Sequence, residues 1–299
     1  MRSLLAPLLL LAGPALAGPR VAVLQSDDLE AYTSPVPAFL DALGEPALVM
    51  NLHGREADAA AAVERMRREE PDAVFALGAK AAWTMAQHMP DTPTVYAAVL
   101  DPDRYGVGGS QITGIDATVA PGIFLSQLTG FLPDVARVGV LRGADGSDDS
   151  RLADMREAAG SLGLTLVVIE VDSPRQVRRS VLEVADQIDA LWLQPERDVL
   201  DASTFRFLTA ETRRRGMPLL VETENMVSAG ALFAVVPDPS GVGRQAATMI
   251  ERILEGAAPG VLPVEVPEHT QVVFSTRAAR LAEVEVDPLL LDFVDVVVE

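Results

Sequence analysis

The residues able to do chemistry are few and scattered. Of 24 lysines and arginines, Lys80 alone is lysine. It stands in Gly78-Ala79-Lys80, just past an apolar run and at a helix start. There its ammonium and the free N–H groups of the first turn can together hold a carboxylate or a phosphate. The plainer alternative is a solvated lysine in a first helical turn, where the helix dipole slightly disfavours it. His53, His88 and His269 are far apart and lack the spacing of a metal site, so each reads as a surface or turn residue. Asp145, Asp148 and Asp149 form an acidic loop without the EF-hand spacing. The chain has no cysteine, which excludes disulfides, thiolate metal sites and a cysteine nucleophile. Neither a nucleophile elbow nor a P-loop is present. Nothing in the spacing makes Glu222 and Glu224 converge. No enzyme, metal site or cofactor is therefore expected.

Gly241-Val-Gly243-Arg-Gln-Ala246 formally matches a dinucleotide fingerprint, with Glu265 beyond it. Pro237-Asp238-Pro239-Ser240 separates it from the preceding strand, however, and the unit lies late in the chain. A flexible start to a packed helix is the better reading. Tyr32, Tyr96 and Tyr105 fall in or beside candidate cleft loops, Tyr96 inside a strand and so suited to the core. Trp83 and Trp192 read as core residues as well.

The elements that must position these groups alternate regularly. Strands are predicted at 20–24, 47–50, 73–77 and 94–99, with helices at 35–43, 56–70 and 79–88 between them. After residue 115 the alternation restarts. Strands follow at 137–141, 164–169, 190–193, 218–221 and 231–236. Their helices run at 149–162, 174–187, 201–215 and 241–255. Such spacing implies βαβ units, parallel sheets and two doubly wound lobes. Ligands bind beyond the carboxyl ends of strands in such sheets. That rule gives the candidate ligand-binding residues. In the first series they are Ser26, Asp27, Tyr32, Gly78, Ala79, Lys80 and Asp101. In the second they are Arg142, Pro195, Glu196, Arg197, Glu222, Asn225 and Asp238. The competing reading is that polar residues gather there simply to cap helices.

At 299 residues, with 49% hydrophobic and 22% charged residues, the chain is long enough for a large core and excludes global disorder. A net charge of −19 argues against nucleic acid, which requires clustered cations. Residues 1–17 combine Arg2, an apolar run and Ala15-Leu16-Ala17, a signal peptide with cleavage expected after Ala17. The run is too short and proline-broken for a membrane span. No cysteine follows it, so a lipid anchor is not expected and the mature chain is placed free in the periplasm.

Several stretches carry a family resemblance. They are Pro93–Pro102 followed by Ile112-Thr-Gly-Ile115, Leu132-Pro133, Asp189–Leu193 before Pro195-Glu196, Gly230-Ala-Leu232, Gly243–Ala247 and Val273–Ala279. In this order they resemble the solute-binding proteins of ABC-type importers, in the group that includes aromatic-amino-acid binders. The resemblance implies a type I periplasmic-binding-protein fold with three interlobe crossings. One lobe is expected from 18–115 and 239–262, the other from 116–238 and 263–299. It also implies a monomer that takes a small solute between its lobes and delivers it to an inner-membrane permease. A sensory module presenting a solute to a membrane receptor or kinase is the alternative, because fold does not fix function. Two departures bear on the solute. Gly78-Ala79-Lys80-Ala81 replaces the usual Thr-Pro-Ala-Ala, and Glu196-Arg197 replaces Asp-Asn. Lys80 and Arg197 thus point to an anionic or more polar ligand, amino-acid-like or an organic anion.

Overall fold

The computed structural model describes residues 20–143, 149–194 and 199–299. The expected signal peptide, Asp145 and Asp148, and Pro195, Glu196 and Arg197 lie outside the described residues. The first series holds β1 (Val21–Gln25), α1 (Glu30–Thr33), α2 (Pro35–Leu43), β2 (Ala47–Asn51), α3 (Glu56–Glu69), β3 (Ala73–Leu77), α4 (Ala79–His88), β4 (Thr94–Ala97) and β5 (Ile112–Gly114). The second begins with α5 (Pro121–Phe131), β6 (Arg137–Gly143), α6 (Asp149–Ser161), β7 (Thr165–Val171) and α7 (Pro174–Val184). It continues with β8 (Ala190–Leu193), α8 (Ala202–Arg214), β9 (Leu219–Val221), α9 (Glu224–Ser228) and β10 (Phe233–Pro237). Last come α10 (Pro239–Leu254), β11 (Thr270–Ser275), α11 (Thr276–Ala282) and β12 (Val296–Val298).

Two sheets result. The first has the order β2-β1-β3-β4-β5, and all its pairs are parallel. The second has the order β12-β11-β10-β9-β8-β6-β7, parallel except for β10 against β11. Central strands are buried end to end because helices cover both faces. On one face of the first sheet, Phe39, Phe75 and Ile250 pack together; on the other, Leu52, Met66 and Met85 do so. In the second sheet Trp192 is fully buried and stacks on Phe124, with ring centroids 4.2 Å apart. Its opposite face is closed by Val177, Leu208 and Val221.

The helix α5 was not anticipated. Its sequence, PGIFLSQLTGF, is apolar on most sides and carries two glycines, so it shows no amphipathic period. It forms because Phe124, Leu125, Leu128 and Phe131 bury against the second sheet.

α10 follows a strand of the second sheet yet packs on the first. Its Val242, Ala246, Met249 and Ile250 join the cluster of Val23 and Phe75. Close approach to α2 explains the glycine pattern. A Cβ at Gly243 falls 2.2 Å from the Pro35 carbonyl oxygen and 2.9 Å from the Phe39 nitrogen. The glycine serves contact between two helix backbones, which corrects the expectation of a flexible helix start. Asp238 caps the same helix, its carboxylate accepting from the N–H groups of Ser240 and Gly241. Gly243→Ala is expected to destabilise the protein by about 1–3 kcal/mol, the usual cost of overpacking, although alanine is the better helix former. Denaturant unfolding checks this; an unchanged or raised midpoint contradicts the close approach.

Candidate functional site

The carboxyl ends of β1 and β3 form one tightly packed unit. The Ser26 hydroxyl accepts from the Ala81 N–H at 2.9 Å, in the first turn of α4. Gly78 has φ +88°, and a Cβ there lies 2.6 Å from the Ser26 Oγ and 2.7 Å from the Tyr32 ring. Only glycine suits both the dihedral and the space. Asp27 accepts from the Asp28 N–H, and the Asp28 carboxylate holds Asn51 and His53, the latter at 3.0 Å. The Lys80 Nζ donates to the Gly54 carbonyl in the turn after β2. The lone lysine thus ties two turns of the same sheet together.

A cavity of about 630 Å³ opens beside this unit, between the carboxyl ends of β4 and β6. Asp101 and Asp103 bound it on the first-sheet side, in the loop after β4. Arg142, at the end of β6, and Arg151, in α6, bound it on the second-sheet side. The chain segments that pass between the sheets form its floor, with Asp116 and Thr118 on one and Val264 and Val266 on the other. These segments pair with each other. Ile115 bridges Glu265 in parallel; the Asp116 N–H donates to the Glu265 carbonyl at 2.8 Å, and the Glu265 N–H to the Gly114 carbonyl at 2.9 Å.

Of the residues expected from sequence, Asp101 and Arg142 line this cavity. Asp101 has φ +54°, and its carboxylate accepts from the Arg104 N–H. Ser26, Asp27, Tyr32, Gly78, Ala79 and Lys80 stand at neighbouring strand ends of the first sheet and not in its lining. Asn225 is exposed on α9, and the Asp238 carboxylate is engaged as a helix cap. Glu222 is buried behind the cavity wall, against Arg151.

Arg151 was missed, and it organises the wall. Its Nε donates to the Gln194 Oε1 at 3.0 Å, its Nη1 to the Thr118 hydroxyl at 3.0 Å and its Nη2 to the Glu222 Oε1 at 2.8 Å. One guanidinium thereby joins a crossing segment to the ends of β8 and β9. An arginine in a first helical turn works against the helix dipole. Arg175 in α7 and Arg277 in α11 hold similar first-turn positions, so this alone did not mark Arg151 in the sequence.

The electrostatics follow from burial. Burial pushes the Glu222 carboxyl above the usual carboxylate range; Arg151 opposes that shift and Asp116 adds to it. Its Oε2 is buried and makes no hydrogen bond among the described residues. The Tyr96 phenol is pushed up to about 12 by burial first, then by Asp116 and Asp103. It therefore remains a neutral hydrogen-bond donor throughout the physiological range.

Arg151→Ala strands a buried carboxylate. A loss of about 3–5 kcal/mol is expected at neutral pH, the usual cost of removing one partner of a buried pair. Because the folded-state pKa of Glu222 lies above its unfolded value, its neutral form favours folding, and that contribution fades as pH rises through the folded pKa. The deficit of the variant against wild type must therefore shrink as pH falls toward the ordinary carboxylate range. Denaturant unfolding across pH measures it; a deficit independent of pH contradicts the assignment.

Similarity to known proteins follows the same outline. A family model described as ABC transporter substrate binding protein matches residues 44–297. A tyrosine-binding protein of Clostridioides difficile (strain R20291) is 19% identical over 224 residues, 73% of this chain and 64% of that protein. The match thus spans less than two thirds of that relative's length. Among solved structures, an ABC domain from Streptococcus pneumonia in complex with L-Trp is 21% identical. It aligns over 94% of this chain and all of the other, with a TM-score of 0.61. The open, ligand-free form of a substrate binding protein with adhesive properties from Clostridium difficile is 18% identical. It covers 94% of this chain and 99% of the other, with a TM-score of 0.73.

Proposed function

The chain belongs to the ABC transporter substrate-binding protein family, and from that premise we propose that it captures a small amino-acid-like solute between two lobes and delivers it to an importer. The carrying observation is the charge arrangement across the cavity. Carboxylates of Asp101 and Asp103 stand on the first-sheet wall and that of Asp116 on the floor, while Arg142 and Arg151 occupy the second-sheet wall. A zwitterion spans such a gap, its ammonium toward the carboxylates and its carboxylate toward the guanidiniums. The purely anionic solute suggested by Lys80 has less support, because Lys80 is not among the residues that line the cavity. Amino-acid ligands named for relatives point the same way.

In this reading one lobe comprises 18–115 and 239–262, and the other 116–238 and 263–299. The packing of α10 on α2 and the pairing of Ile115 with Glu265 support that division. Closure about the crossings covers the solute, and the solute shifts the open–closed balance only by its preference for the closed form. Export through the 1–17 leader places the mature chain in the periplasm, as a monomer that meets an inner-membrane permease. Among the described residues no helix is long and apolar enough to cross a membrane.

A thermal-shift screen of amino acids, organic acids, nucleosides and sugars tests the proposal. A true solute at 100 times its dissociation constant stabilises the fold by about 2.7 kcal/mol. Arg142→Ala should reduce that stabilisation sharply, read against the variant's own unliganded midpoint because Arg142 is itself buried. The absence of a shift across the panel contradicts solute capture.

A further inference from the structure

Of the two crossing segments that form the floor, one carries Asp116 and Thr118 and the other an aliphatic pair, Val264 and Val266. Residues 264–266 run extended beside Ile115, so successive side chains point to opposite faces. Glu265 turns toward α10, where its carboxylate accepts from the Gln245 Nε2 at 3.1 Å and the Arg252 Nη1 at 2.8 Å. Val264 and Val266 face the other way, into the cavity, and are 51% and 53% exposed. Two half-exposed valines at the bottom of a cleft are surface that a bound apolar group removes from water. Leu100 and Ala120, both partly exposed, extend the same surface.

Among the described residues, the lining offers no exposed aromatic surface. Tyr96 is the single aromatic residue in the described lining, and at 3% exposure its ring is covered. A ligand ring gains directional energy from an aromatic partner held edge-on or offset. An aliphatic side chain requires only apolar cover without direction.

We infer that the solute is an α-amino acid with an aliphatic side chain, selected by Val264 and Val266 on the crossing segment. This rests on the zwitterion reading above and departs from the tyrosine and L-Trp named for two relatives. The hinge strand then serves two purposes. Its inward face fixes the crossing to α10, and its outward face grips the ligand side chain as the cleft closes.

Isothermal titration calorimetry of the full chain with L-leucine, L-isoleucine, L-valine, L-phenylalanine, L-tyrosine and L-tryptophan tests the inference. At least one aliphatic amino acid should bind tenfold or more tighter than every aromatic one. Val264→Thr combined with Val266→Thr should weaken that binding about fivefold or more, with the unliganded melting midpoint unchanged. Val266→Ala alone, a smaller change, should weaken it in the same direction. Tighter binding of an aromatic amino acid, or wild-type affinity in both variants, overturns the inference while leaving solute capture intact. Binding of an organic acid, nucleoside or sugar with no amino acid bound overturns the zwitterion reading itself.

Discussion

Ile115 pairs with Glu265 where the chain leaves the first sheet, and this parallel contact is the constraint on which the cleft depends. It holds the two crossing segments side by side at the edge of the first sheet. The buried Gln245 of α10 secures it, donating to the Val266 carbonyl at 3.0 Å and accepting from the Glu268 N–H at 3.2 Å. Arg252 adds an ion pair to the Glu265 carboxylate. The crossing is therefore rigid on its first-sheet side. Rotation between the sheets must be absorbed farther along, toward Thr118 and the residues before β11. A hinge of this kind bends at a few positions and keeps each packed body intact.

Arg151 does the matching work on the second-sheet side. Its three hydrogen bonds join Thr118 on the crossing to Gln194 and Glu222 at two strand ends. Motion of the crossing is thereby coupled to the wall that carries Arg142. A buried ion pair of this kind adds little net stability, because desolvation offsets the attraction. What it contributes is geometry: a cation held at one place beside a negatively lined cavity.

Much of the fold was legible because both sheets are covered on two faces. Apolar runs such as Ala73–Leu77 and Ala190–Leu193 mark buried strands without ambiguity, and amphipathic stretches such as 56–69 mark the covering helices. α5 was not legible, because a helix buried on most sides has no polar stripe. The site was less readable still. Strand-end reasoning selects every polar turn alike, and several turned out to be engaged locally: Ser26 with the Ala81 N–H, Lys80 with the Gly54 carbonyl and Asp238 with the start of α10. The floor valines lie on a crossing that belongs to neither repeat of strand and helix. Nothing in their periodicity sets them apart from core residues.

The distance between the two bodies measures the central claim directly. The chain has no native cysteine, so Gln87→Cys on α4 and Glu157→Cys on α6, both exposed, give a clean pair for spin labels. The distribution should be long and broad without solute. It should change to a single narrower distance when the most stabilising amino acid is added. An identical distribution with solute bound to saturation contradicts closure of the cleft around it.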